Sequence, residues 1–136
     1  MNIYVAASFR ARTRARRVAK RLALAGFNCV QGWTRRRKSA MSLELCAYRD
    51  LYDLGFAHML VLLTEEPSTA GGMDFETGFA FASGIPVALI GPRRSAFHHM
   101  AEIEHFDTVG DFLQWAQRCG SQRKVNLKSA RVKKRK

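Results

Sequence analysis

MLVLLTEEPSTAGGMDFETGFAFASGIPVALIG, residues 59–91, is the stretch on which the fold depends. It opens with five consecutive apolar residues (59–63), as a central strand covered on both faces requires. Residues 64–72 then read as a loop, with Pro67 and the adjacent Gly71 and Gly72. Helical patterning resumes over 73–84, weakened by Gly78 in its middle. PVALIG (86–91) is a second apolar run. Two strands joined through a helix point to a parallel pair, so this segment reads as a βαβ unit.

The same alternation extends in both directions. NIYVAA (2–7) is rich in strand formers. Over 12–25, Ala15, Val18, Ala19, Leu22 and Ala25 recur at three- and four-residue spacing, which predicts an amphipathic helix stopped by Gly26. FNCVQGW (27–33) reads as a second strand, and the basic stretch 34–39 as a loop. Met41, Leu45, Tyr48, Leu51 and Leu54 give 40–57 a helical period. Beyond residue 91, IEHF (103–106) is a candidate fifth strand. Residues 108–118 form a last helix with Val109, Phe112, Leu113 and Trp115 inward. The pattern predicts an α/β three-layer, Rossmann-like fold, with helices on both faces of a parallel sheet of four or five strands. Ligands in such sheets bind beyond the carboxyl ends of the strands, which directs attention to loops 7–11, 32–39, 64–72 and 91–100.

At 136 residues and 47% hydrophobic content the chain suffices for one domain with a real core, expected over 1–119. No run approaches the roughly 18–20 apolar residues of a membrane span, and no signal-peptide pattern opens the chain. A cytoplasmic protein without membrane contact is expected. Cys29, Cys46 and Cys119 are an odd number without metal-ligand spacing and read as free thiols. The formal charge of +12 is unevenly spread: eight basic residues and no acid fall within 120–136, and removing them leaves +4 for 1–119. That last stretch reads as a disordered, solvated basic tail. Two further clusters, one from Arg10 to Arg21 and one at Arg35–Lys38, read either as solvated faces or as an electropositive rim for a phosphorylated ligand or polynucleotide.

Three places carry candidate chemistry. Ser8, Phe9 and Arg10 directly follow the first strand and offer a hydroxyl, an aromatic face and a guanidinium at a helix start, a set suited to a base or a phosphate. Ser8 also occupies the position of a simple helix cap. Gly71, Gly72 and Met73 lead into a helix with Glu76 about one turn inside, among Phe75 and Phe79. The glycines let backbone approach a ligand, and partial desolvation makes the carboxylate a better nucleophile. Alternatively, Asp74 and Glu76 complement the positive end of the helix. Asp50 and Asp53, three residues apart, share a helical face, with Asp50 the site candidate and Asp53 the surface one. Paired carboxylates serve glycosidic cleavage, one at the anomeric carbon and one managing protons.

Together these residues resemble the nucleoside 2-deoxyribosyltransferase family, which includes related nucleotide N-glycosidases. The resemblance covers nearly all of residues 2–119. It rests on IYVAASF, the RD of YRDLYDL, MLVLL and GGMDFETGFAFASGIPV, with Gly71, Gly72, Glu76, Gly78, Ala80, Gly84 and Pro86 at the family's positions. It implies a flavodoxin-like fold without a cofactor or metal. It further implies a double displacement in which Glu76 attacks the anomeric carbon, giving a covalent glycosyl-enzyme that a free nucleobase or water then resolves. Asp50 would assist proton transfer, and Ser8 and Phe9 would line the base pocket. A homodimer or larger homo-oligomer is implied, with Phe97-His98-His99-Met100 as the segment a neighbouring subunit contributes. The sequence departs from the family at Ala70, where an acidic or hydroxyl residue is common, and at His58, where Asp is common. Arg10 and Arg12 suggest a 5′-phosphate as substitute handle.

Rival classes are weaker. A nucleic-acid-binding module would rest on the basic clusters, yet no familiar motif accompanies them; a weak nucleic-acid contact through the tail is the accessory expectation. A nucleotide sensor on the same fold would not need Glu76 and Asp50. A metal site at His98, His99 and His105 lacks a supporting thiolate or helical His pair. The first loop lacks the Ser/Thr-rich phosphate turn of flavin binding.

Overall fold

The computed structural model describes residues 1–36, 41–68 and 70–119. Five strands, β1 (Asn2–Ala7), β2 (Asn28–Cys29), β3 (Met59–Leu63), β4 (Val87–Ile90) and β5 (Ile103–Phe106), form one sheet in the order β2-β1-β3-β4-β5, with every neighbouring pair parallel. Helices α1 (Arg12–Leu24), α2 (Leu43–Gly55), α3 (Gly72–Ala82) and α4 (109–119) complete a flavodoxin-like arrangement. The apolar runs explain the sheet directly. All five residues of β3 and all four of β4 are buried, as strands covered on both faces must be. Ala15, Val18 and Leu22 of α1 are the buried stripe its spacing predicts.

The strand order reverses between β1 and β3, so the crevice at their carboxyl ends is the switch point of the sheet. Two glycines shape its surroundings. Gly71 precedes α3 at φ +70, a left-handed conformation that favours glycine. Gly91 ends β4 at φ +112, where an added Cβ would lie 3.0 Å from the Thr64 hydroxyl and 3.2 Å from the Glu65 nitrogen. The Thr64 hydroxyl donates to the Pro92 carbonyl at 2.7 Å, tying the ends of β3 and β4 together.

Three expectations need correction. The second strand spans only Asn28–Cys29 rather than 27–33, because β2 is an edge strand and the chain peels away to turn Trp33 inward. The Trp33 indole donates to the Val5 carbonyl at 2.8 Å, and Trp33–Arg35 form a 3-10 turn where the end of the strand and the start of the loop were expected. Helix α2 starts at Leu43 rather than at 40, capped by the Ser42 hydroxyl, which accepts from the Leu45 amide at 3.2 Å. Its apolar period does not face the core: Leu54 is its single buried residue, while Leu45 and Tyr48 are exposed. The expected tail at 120–136 and the remainder of the second basic cluster, Arg37 and Lys38, lie outside the described residues. No helix among the described residues is long and apolar enough to cross a membrane.

Candidate active site

A cavity of about 340 Å³ opens at the switch point, between the carboxyl ends of β1 and β3 and the beginnings of α2 and α3. Its size is within the range of small-molecule sites. Glu76, Asp50, Ser8, Phe9, Gly72 and Met73 all line it, so most of the residues singled out from sequence converge on one place. Arg10 and Gly71 do not. Arg10 is exposed in the 3-10 turn Phe9–Ala11, and Gly71 acts through its backbone conformation.

Glu76 stands on the flank of α3 that faces β1, because Met73, Thr77 and Ala80 take the sheet-facing positions. The Tyr4 hydroxyl donates to its Oε1 at 2.7 Å. Tyr4 is fully buried in β1, and its burial and the neighbouring Glu76 charge push its phenol far up, so it remains a donor. Burial raises the Glu76 carboxyl from its ordinary 4.5 to about 7, with Asp50 adding to the rise and the Tyr4 hydrogen bond opposing it. The carboxylate is thus poorly solvated and poised near neutrality, with one oxygen held by Tyr4.

Asp50 reaches the cavity from α2. Burial raises its carboxyl, and Arg36 restrains the rise. The Arg36 Nη2 donates to Asp50 Oδ1 at 2.9 Å and its Nη1 to the Cys46 carbonyl at 3.3 Å, while the Arg36 carbonyl accepts from Arg12 at 3.0 Å. Arg36 is therefore an oriented clamp rather than a solvated loop cation. Asp53, expected as a surface residue, accepts from the Gly32 amide at 2.8 Å in an exposed hydrogen bond and fixes the turn that carries Trp33. The walls are aromatic and apolar. Phe9 is half-exposed with the Arg12 guanidinium 5.1 Å from its ring centroid, and Trp33 and Met73 are buried beside the cavity. Such walls accept a planar ring.

Sequence reasoning missed Tyr4, Trp33 and Arg36. Tyr4 did carry a signal, since a phenol in a buried strand demands a partner. Of the two family departures, Ala70 lines the cavity, where Ser68 supplies a hydroxyl nearby. His58 lies at the other end of the sheet, its Nδ1 accepting from the Asn2 amide at 2.9 Å, and so does not bear on the site. His98 is buried, its Nδ1 accepting from the Arg94 amide at 3.0 Å, so of the segment expected to reach a neighbouring subunit only Phe97, His99 and Met100 remain exposed. Among the described residues no group of three His, Cys, Asp or Glu side chains could hold a metal ion.

The Tyr4 hydrogen bond has a measurable consequence. Tyr4→Phe removes a donor to the ionised carboxylate, so the Glu76 pKa rises further. If Glu76 acts as an anion, the acid limb of the rate profile, expected near pH 7, should move up by about one unit. An unmoved limb in an active variant would show that another group sets it.

Structural comparison agrees with the fold expected from the resemblance. A CMP N-glycosidase from Clostridium botulinum superposes with a TM-score of 0.60 at 15% identity, covering 86% of this chain and 98% of its own. A 2-deoxyribosyltransferase from Bacillus psychrosaccharolyticus gives 0.62 at 17% identity, covering 83% and 90%. A conserved protein from Enterococcus faecalis V583 gives 0.64 at 18% identity, covering 84% and 95%. At these identities the shared property is the fold. No family model matches the chain, and no curated protein matches it by sequence.

Proposed function

We propose that the chain is an enzyme cleaving the N-glycosidic bond of a nucleoside or nucleotide, with Glu76 as nucleophile. The observation that carries this reading is the Tyr4–Glu76 pair on a cavity at the switch point, with Asp50 on the facing wall. The Glu76 carboxylate attacks C1′, the C1′–N bond breaks, and its electron pair leaves with the base, which takes up a proton with help from Asp50. The resulting glycosyl ester is resolved by a second base or by water, as in retaining glycosidases. Phe9 and Trp33 hold the base, Ser68 supplies a hydroxyl, and Ser8 lines the wall while its hydroxyl caps the first turn by accepting from the Ala11 amide at 3.3 Å.

Arg36 is the one cation lining the cavity among the described residues, and Asp50 already occupies it. This favours an unphosphorylated nucleoside over the 5′-monophosphate, whose handle among the described residues would be Arg10 or Arg12, both outside the lining. A second copy of the chain completes the site: Leu43, at the rim, is 89% exposed and begins an apolar face continued by Leu45, Tyr48, Tyr52 and Phe56. The test is chromatography of wild type and Glu76→Ala with deoxynucleosides and their 5′-monophosphates, with and without a second free base. A new nucleoside formed only with acceptor and Glu76 means transfer, and free base without acceptor means hydrolysis. No Glu76-dependent product from any substrate would end the enzymatic reading in favour of a nucleotide sensor.

A further inference from the structure

Helix α1 carries Arg12, Arg14, Arg16, Arg17, Lys20 and Arg21 and no acidic residue. Three of these cations serve the fold: Arg12 donates to the Arg36 carbonyl, Arg16 to the Thr34 carbonyl, and Arg14 pairs with Glu65. Arg17, Lys20 and Arg21 are exposed, and among the described residues none of their side chains makes a hydrogen bond or an ion pair. Beside them a cleft of about 510 Å³ runs between α1 and the β2 edge. Arg16, Lys20 and Arg35 line it together with Asn28, Gln31 and Thr34, and no carboxylate does.

In isolation this arrangement is electrostatically unfavourable. Arg12, Arg16 and Lys20 follow one another at four-residue spacing, as do Arg17 and Arg21, and like charges so placed destabilise a helix. Arg12 and Arg14 also stand at the positive end of the helix dipole, with no acid in the first turn to offset them. A polyanion lying along this face relieves all of these repulsions at once.

We infer that the outward face of α1, with the cleft beside it, is a docking surface for the phosphate backbone of nucleic acid. Five of the six cations are arginines, whose planar fork matches phosphate oxygens in pairs. A lipid surface fits less well, because α1 exposes no aromatic or large aliphatic side chain before Leu24 at its end. Contacts of this kind position a strand without reading its sequence. The inference does not depend on the glycosidic reading, since no residue of α1 lines the candidate active site.

The test uses the full chain, basic tail retained, in fluorescence anisotropy with a labelled oligonucleotide of about 20 nucleotides. In Arg17→Glu/Lys20→Glu/Arg21→Glu, affinity at about 0.1 M salt should fall at least about tenfold, and the salt dependence should become shallower by about 2–3 in slope. The corresponding triple Gln variant should lose affinity in the same direction, and it decides the matter if charge reversal disturbs folding. Base release dependent on Glu76, followed in parallel, should not change in either variant. Wild-type affinity in both variants would overturn the inference by assigning binding to the tail. So would binding to phosphatidylserine vesicles through these residues without binding to the oligonucleotide.

Discussion

Glu76→Gln is expected to lower the rate of base release from a nucleoside by at least about ten-thousand-fold, since loss of a covalent nucleophile leaves only binding and polar stabilisation. Gln keeps the size of the side chain and can still accept the Tyr4 hydroxyl, so the cavity and its hydrogen bond survive while the attacking oxygen is gone. Substrate binding should therefore change little, and the loss should lie in kcat. Mass spectrometry of acid-quenched reactions should find a glycosyl adduct on the peptide containing Glu76 in wild type and none in the variant. A Gln variant within about tenfold of wild-type kcat would remove Glu76 from the nucleophile's role.

The same substitution should make the protein more stable, by an amount that depends on pH. Folding raises the Glu76 carboxyl from 4.5 to about 7, so between these values the folded state holds a proton that the unfolded chain has released. Stability therefore falls as pH rises through this window and levels off above it, a penalty of about 3 kcal/mol. Gln does not titrate. Thermal melts should nearly coincide at pH 4.5, diverge up to pH 7, and differ by roughly 10 °C at pH 8, with the variant higher. Equal melting temperatures at pH 8 would mean that the carboxyl is ordinarily solvated, and the case for a desolvated nucleophile would go with it. Stability sacrificed at one half-buried carboxylate is a common accompaniment of catalytic function.

Much of the fold was legible because buried strands announce themselves as apolar runs. NIYVAA, MLVLL and IEHF coincide with β1, β3 and β5 as found. The second strand was not legible, since an edge strand has one neighbour and its extent is set by where Trp33 must go, which no periodicity encodes. Within the site, Glu76 and Gly72 could be found from a glycine-rich turn entering a helix, and Asp50 from its pairing with Asp53. Arg36 could not, because one arginine among four consecutive cations is indistinguishable from its neighbours until the fold brings Asp50 to it. The apolar spacing of α2 misled in a different way. Periodicity reports that a face is apolar and leaves open whether core or another chain covers it.

The register of the sheet also bears on how the protein is made. Strand β1 is synthesised before both of its partners, and β2 offers it only two paired residues, Asn28 and Cys29. Its five-residue pairing with β3 is completed only when Leu63 becomes available. A nascent chain stalled before that point presents Ile3–Ala6 as an unpaired apolar edge, the kind of segment that chaperones bind and aggregates recruit. Translation speed across α2, which separates the two strands, would therefore bear on how long that edge stays open.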